Sequence, residues 1–268
     1  MTGSRKRALK EKISLFAHIL FPFLIIGVVW ELSVQLRFID YRILPAPSML
    51  FGELYNLVWV KKALQQHLWH SLYRLFIGYI TAVAAGLIIG TLLGLNRVLR
   101  DMFSPVLSLL IAIPTIAWIP VLLITMGLGD RTVITAIFLG GVFEITYSTI
   151  AGIRSIKRQQ INAARIMGIW GISLFFQVYL PASLTHILPA LRLSIGYCWR
   201  ALIGGEMLSA MISWGIGKMI YEARFWNDIK VMFVGLLVIG LCGILLDRLF
   251  LKRLEQKTLE KWGMLSEG

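Results

Sequence analysis

The stretch INAARIMGIWGISLFFQVYLPASL, residues 161–184, lies between two apolar runs long enough to cross a bilayer, yet it is not a simple polar connection. It holds paired alanines at 163 and 164, a glycine at 168, bulky apolar residues, and then Leu180-Pro181. Ile161, Ala164, Ile166, Met167, Trp170, Leu174 and Phe175 form apolar faces on two short helices broken near Gly168. Arg154, Lys157, Arg158 and Arg165 supply a basic complement. A membrane span would not tolerate that basic flank, and a core helix would not need it. A short helix pair offering knobs to another protein fits the pattern.

The chain around this stretch is built for lipid. Of its 268 residues 57% are hydrophobic and only 15% charged, with a mean hydropathy of +0.76, whereas a soluble domain carries about a quarter charged residues. A hydrocarbon core about 30 Å thick needs roughly twenty residues of helix. The stretches at about 16–36, 71–95, 105–126, 131–153, 186–209 and 231–251 meet that length. The expected fold is therefore an all-α polytopic membrane protein of about six transmembrane helices. The third and fourth are separated only by GLGDR (127–131), a tight hairpin with Gly127 and Gly129 as breakers. Barrel strands of alternating polarity are not seen. Cys198 and Cys242 sit inside apolar runs without a Cys/His cluster, so neither a disulfide framework nor a metal site is indicated. The start, MTGSRKRALKEKIS, resembles a signal-anchor flank more than a cleaved signal peptide.

The net charge of +13 has a sidedness. With the N-terminus inside, the cytoplasmic set runs from Arg5, Lys6 and Arg7 through Arg97, Arg100, Arg154, Lys157, Arg158 and Arg165 to Arg253, Lys257 and Lys261. It outnumbers the outer set (Arg37, Arg42, Lys61, Lys62, Arg131, Lys218, Arg224 and Lys230) by about two to one. Both termini are thus expected in the cytoplasm, with a basic segment at 1–15, a membrane domain at 16–251, a cytoplasmic loop at 154–185 and a tail at 252–268. This bias accounts for the basic balance without nucleic acid, for which no binding motif is present. Two outer connections are long. In 37–70, Ser48 is placed to cap a short amphipathic helix; in 210–230, Trp214, Tyr221 and Trp226 mix with charges. Each reads either as an interfacial helix or as a docking face for an external partner.

Asn162-Ala163-Ala164, three residues, Gly168, nine residues and Val178-x-Leu180-Pro181 resemble the EAA loop of ABC importer permeases, with every spacing kept. Asn162 replaces the family's Glu and Val178 its Ile. LPAPSML (44–50), HLWHSLYRLFIGY (67–79), GLIIGTLLGLNRVLRDMFSPVLSLL (86–110), IPTIAWIPVLLITMGLGD (113–130) and GEMLSAMISWGIGKMI (205–220) extend the likeness to the nitrate/sulfonate/taurine/bicarbonate branch. The residues before Pro114 lack the double proline common there, and Glu144 sits where an uncharged residue is usual. The resemblance implies a type I importer permease whose loop is a coupling helix seated in an ATPase subunit, with Asn162, Ala163, Ala164, Arg165, Met167, Gly168, Leu180 and Pro181 as the coupling residues. It implies a second permease copy in a homodimer, two cytosolic ABC ATPase subunits that bind ATP and Mg, an external solute-binding protein, and a bacterial or archaeal plasma membrane. The solute would be a small one, an anion such as nitrate, sulfonate, taurine or bicarbonate.

No Gly-x4-Gly-Lys-Ser/Thr loop is present, so the chain is expected to be a transport subunit without a cofactor or metal of its own and not an enzyme. Gly86, Gly90 and Gly94 recur every fourth residue, a spacing that lets membrane helices pack closely, either within the chain or across a homodimer seam. Pro114 and Pro120 invite kinks or a short break. Arg74, Glu144, Arg192, Arg200 and Glu206 fall in or near spans, where a charge needs a partner, water or a snorkelling route. Arg74 and Arg192 are expected near span ends. Glu144, Arg200 and Glu206 are the candidates for pathway lining or internal pairing, for instance Arg200 with Glu144. The competing reading is an ion-coupled secondary transporter or channel that uses Glu144 and Glu206 as its ion sites and 161–184 as a gate.

Overall fold

The computed structural model describes residues 21–209 and 211–247, and those residues are helical with short connections. The expected cytoplasmic ends at 1–15 and 252–268, and the outermost turns of the first and last spans, lie outside the described residues. Helix α1 (Phe21–Gln35) leads to α2 (Pro47–Tyr55), which runs through a π-helical turn (Asn56–Val60) towards α3 (Ala63–Leu95). Helix α4 (Arg97–Ala112) follows at once, its first turn capped by the Asn96 side chain, which accepts from the Leu99 N–H at 3.2 Å. Next come a 3₁₀ turn (Thr115–Trp118), α5 (Ile119–Met126) and α6 (Asp130–Ser155). The chain then forms α7 (Arg158–Ile166) and α8 (Gly171–Leu174), passes through a second π turn (Phe175–Tyr179) into α9 (Leu180–Leu208), and ends in α10 (Ile216–Phe225) and α11 (Ile229–Leu245).

Three helical stretches among the described residues, 63–95, 130–155 and 171–208, are long and apolar enough to cross a membrane, and α1 and α11 are shorter apolar helices. The expected continuous span at 105–126 is broken. Helices α4 and α5 meet at 92° across Ile113 and Pro114, because Pro114 offers no N–H to the preceding turn and its ring excludes the carbonyl four residues back. Pro120 interrupts nothing, since it lies in the first turn of α5, where no N–H is needed. The expected span at 186–209 is part of a longer helix that starts at Gly171 and runs through Pro181. The π turn just before that proline widens the backbone where the ring would otherwise clash.

Helix α6 is the axis of the core, flanked by α3 and α9. On the α3 side, an added Cβ at Gly86 would lie 2.8 Å from Ile145 Cβ, and one at Gly90 would lie 2.5 Å from Thr149 Cβ. The same face continues to Gly78, whose Cβ would meet Ile137 at 2.6 Å, and to Gly94, which abuts Ile153 at 2.9 Å. The glycine stripe of α3 therefore packs inside the chain, and the side chains of α6 fill the space that α3 leaves empty. On the α9 side the relation reverses. Gly141 of α6 admits the Cys198 Sγ, and Gly152 admits Ser183, each so closely that a Cβ would lie 2.8 Å and 3.0 Å away.

The short helices also differ from expectation. Ser48 does not cap α2; Pro47 begins it, and Ser48 donates both its N–H (3.0 Å) and its Oγ–H (2.8 Å) to Glu31 on α1. A carboxylate at a helix start suits the exposed N–H groups there. Helix α10 is not simply interfacial, because Ile216, Met219, Ile220 and Ala223 are buried in the core shared with α11.

Candidate functional site

The 158–176 segment displays an apolar surface. Ile166, Met167 and Ile172 are 87%, 78% and 72% exposed, with Trp170 and Phe176 beside them and the Arg165 guanidinium 5.4 Å from the Trp170 ring. The break between its two helices is a defined cap. The Gly168 N–H donates to Arg165 O and the Ile169 N–H to Ala164 O, both at 3.0 Å. Gly168 takes a φ of +81°, the left-handed conformation such a cap demands. Of the predicted coupling residues, Asn162, Ala163, Arg165, Met167 and Gly168 are exposed, whereas Ala164 is buried. Leu180 and Pro181 are half-buried and buried in α9, so they join the segment to the core and are not part of its outer face.

Near mid-depth, a cavity of about 480 Å³ opens between α6, α9 and the α4–α5 break; Pro114, Thr115, Glu144, Tyr197 and Arg200 are among its walls. Helix α6, of 26 residues, is about 39 Å long and Glu144 lies about 21 Å along it. Arg200 and Glu144 share this cavity without forming an ion pair. The Arg200 guanidinium lies 5.5 Å from the Tyr197 ring centroid, and Glu144 Oε1 accepts from Ser148 Oγ at 3.4 Å.

Glu206 is elsewhere. At the end of the bundle opposite 158–176 it is fully buried and surrounded by donors: Ser71 Oγ at 2.8 and 2.9 Å, Arg74 Nη1 at 2.8 Å and the Gly217 N–H at 3.0 Å. Arg74 does not snorkel. It is 2% exposed and also donates Nε to Asp130 (2.9 Å) and Nη1 to the Trp214 carbonyl (2.7 Å). The Ile216 N–H donates to Ser71 Oγ at 2.9 Å and the Gly215 N–H to His67 Nδ1 at 3.0 Å, so segment 214–217 is clamped onto α3. A Cβ at Gly215 would lie 2.6 Å from the Glu206 carboxyl carbon, which only a glycine avoids. Arg192 likewise has a partner, Asp247, with Nε and Nη2 at 2.7 and 2.9 Å from its two oxygens. Charge and depth alone did not reveal the clamp. The signal available was the glycine face of α3, which continued towards the N-terminus reaches Ser71 and His67.

Comparison with known proteins identifies the family. Residues 82–259 match the family described as binding-protein-dependent transport system inner membrane component. The chain is 32% identical over 262 residues to a bicarbonate transport system permease protein of Synechococcus elongatus, covering 92% of each. It is 29% identical over 238 residues to the taurine transport system permease protein of Escherichia coli, covering 87% of this chain and 85% of that one. A methionine ABC transporter solved in inward-facing conformations shares the fold, with a TM-score of 0.64 at 20% identity over 75% of this chain and 97% of that one. In such systems ATP is hydrolysed by a separate subunit, and the permease is not an enzyme. The family match, not a contact, decides against the ion-coupled transporter or channel built on Glu144 and Glu206. The chain belongs to the family of binding-protein-dependent transport system inner membrane components, the permease subunits of ABC importers.

Proposed function

We propose that two copies of this chain form the transmembrane pathway of an ATP-driven importer in a bacterial or archaeal plasma membrane, with both termini in the cytoplasm. Each copy engages one cytosolic ATPase subunit, which binds ATP and Mg, and the pair receives solute from an external binding protein. The observation that carries this reading is the exposed apolar surface of Ile166, Met167 and Ile172 on a capped two-helix segment. Such a surface would be unfavourable in water and is the kind a protein groove covers.

The segment is also mechanically continuous with the core. Helix α8 runs through the π turn into α9 as one stretch, 171–208, and α9 packs on α6 through Gly152 and Gly141. A push on Met167 and its neighbours by closing ATPases therefore reorients α9 and α6 as a body, alternating access to the cavity between them. The α4–α5 break lies on that cavity, as broken helices do along transport pathways. The solute is small and carries an anionic group, for which Arg200 is the complement.

Native mass spectrometry of the complex from its host membrane tests this directly. Two copies of this chain with two Walker-motif subunits are expected. A particle of this chain alone, transporting without ATP, would overturn the reading.

A further inference from the structure

The importer reading leaves open what the mid-depth cavity recognises, and the inference here rests on that reading. We propose that this cavity is a low-affinity site for a small zwitterion, with Arg200 holding its anionic end and Glu144 its cationic end.

The protein satisfies one internal carboxylate fully and leaves another almost bare. Glu206 is surrounded by Ser71, Arg74 and the Gly217 N–H at 2.8–3.0 Å. Glu144, at mid-depth, has one contact of 3.4 Å to Ser148. Arg200 is exposed on the cavity side, where its contact is the Tyr197 ring, a weak attraction. Both charges open on one cavity, so a ligand that carries the two opposite charges completes both at once.

A Cβ at Gly140 would lie 3.3 Å from Ala201 Cβ and 3.4 Å from the Tyr197 carbonyl, so α6 and α9 are in close contact where Glu144 and Arg200 line the cavity. A simple anion attracted by Arg200 meets the Glu144 carboxylate, and a simple cation meets Arg200, so each is discriminated against by one wall. The volume, about 480 Å³, falls within the roughly 300–1,000 Å³ typical of ligand pockets.

The test uses the purified permease–ATPase complex in lipid nanodiscs without its binding protein, equilibrated with radiolabelled taurine, ethanesulfonate or choline. Wild type is expected to retain taurine at millimolar concentration at least tenfold over the other two. Glu144→Gln is expected to raise ethanesulfonate to the level of taurine, and Arg200→Gln to lose taurine while admitting choline. No retention by wild type, equal retention of taurine and ethanesulfonate, or a ratio unmoved by Glu144→Gln in a monodisperse complex would overturn the proposal. The wild-type ratio decides even where a variant does not assemble. Failure of ATPase subunits to co-purify would count against the importer reading alone, because the solute preference is then measured on this chain reconstituted by itself in the same discs.

Discussion

Arg74 and Glu206, 132 residues apart in sequence, meet at 2.8 Å between Nη1 and Oε1 with both side chains withdrawn from solvent. The pair joins α3 to α9, and through Asp130 and the Trp214 carbonyl it also holds the start of α6 and the segment leading to α10. One end of the bundle is thereby fixed as a unit, while the exposed apolar surface of Ile166, Met167 and Ile172 lies at the other.

Removing one partner leaves the other charge buried and unpaired, a loss of about 3–5 kcal/mol for such pairs. Arg74→Ala and Glu206→Ala are each expected to lower the thermal midpoint of the detergent-purified complex markedly. The double substitution should cost less than the sum of the two, since it removes both charges. Strict additivity in that cycle would show that the pair contributes no coupling. Hydrogen exchange within 214–217 should rise in both single variants.

The glycine face of α3 makes a sharper prediction. Gly90→Leu has no space, because even a Cβ would sit 2.5 Å from Thr149 Cβ, so α3 and α6 must separate along their length. Loss of monodisperse protein on size exclusion is expected. Gly52→Ala, with nothing within 4 Å of the added carbon, should behave as wild type or slightly better, as alanine does in helices.

How far the chain could be read in advance depended on the range of each signal. The two short helices broken near Gly168 and the glycine stripe were legible because each is a pattern within one loop or one helix. The 92° break at Pro114 was not, since the apolar run at 105–126 reads as one span and proline alone does not fix how far a helix bends. The Arg74–Glu206 pair joins helices whose relative register no single sequence displays. Arg74 near a span start looked able to reach water; burial came from the 212–217 segment folding over it. Glu144 and Arg200 stand out in the sequence as charges within apolar runs, and the structure shows that they share a cavity without pairing.

Accessibility distinguishes the cavity from the core around it. In membrane vesicles, a cysteine placed at Thr115 or Tyr197 should react with a water-soluble thiol reagent, since both positions line the cavity. Native Cys198 is fully buried, donates its S–H to the Ile137 carbonyl at 3.2 Å and should stay unlabelled. Equal labelling of all three positions would mean that the helices open far more widely than this structure.

The surface proposed for coupling yields the most discriminating prediction, because Ile166 and Met167 project outward and can be changed without disturbing the core. Met167→Asp and Ile166→Asp place a charge on an exposed position, where the isolated permease should lose little stability. In an ATPase groove the same carboxylate would be desolvated, so co-purification of the ATPase should fall at least tenfold while membrane insertion is unchanged. Gly168→Ala acts by another route: it forces alanine into the left-handed conformation at about 1–2 kcal/mol and should loosen the cap formed with Ala164 and Arg165. Gly168→Asn, which tolerates that conformation, should retain more ATPase than Gly168→Ala. If both aspartate variants kept full ATPase association, the partner would have to seat on a face other than Ile166 and Met167. Asn162 and Ala163, also exposed on α7, would then be the next positions to substitute.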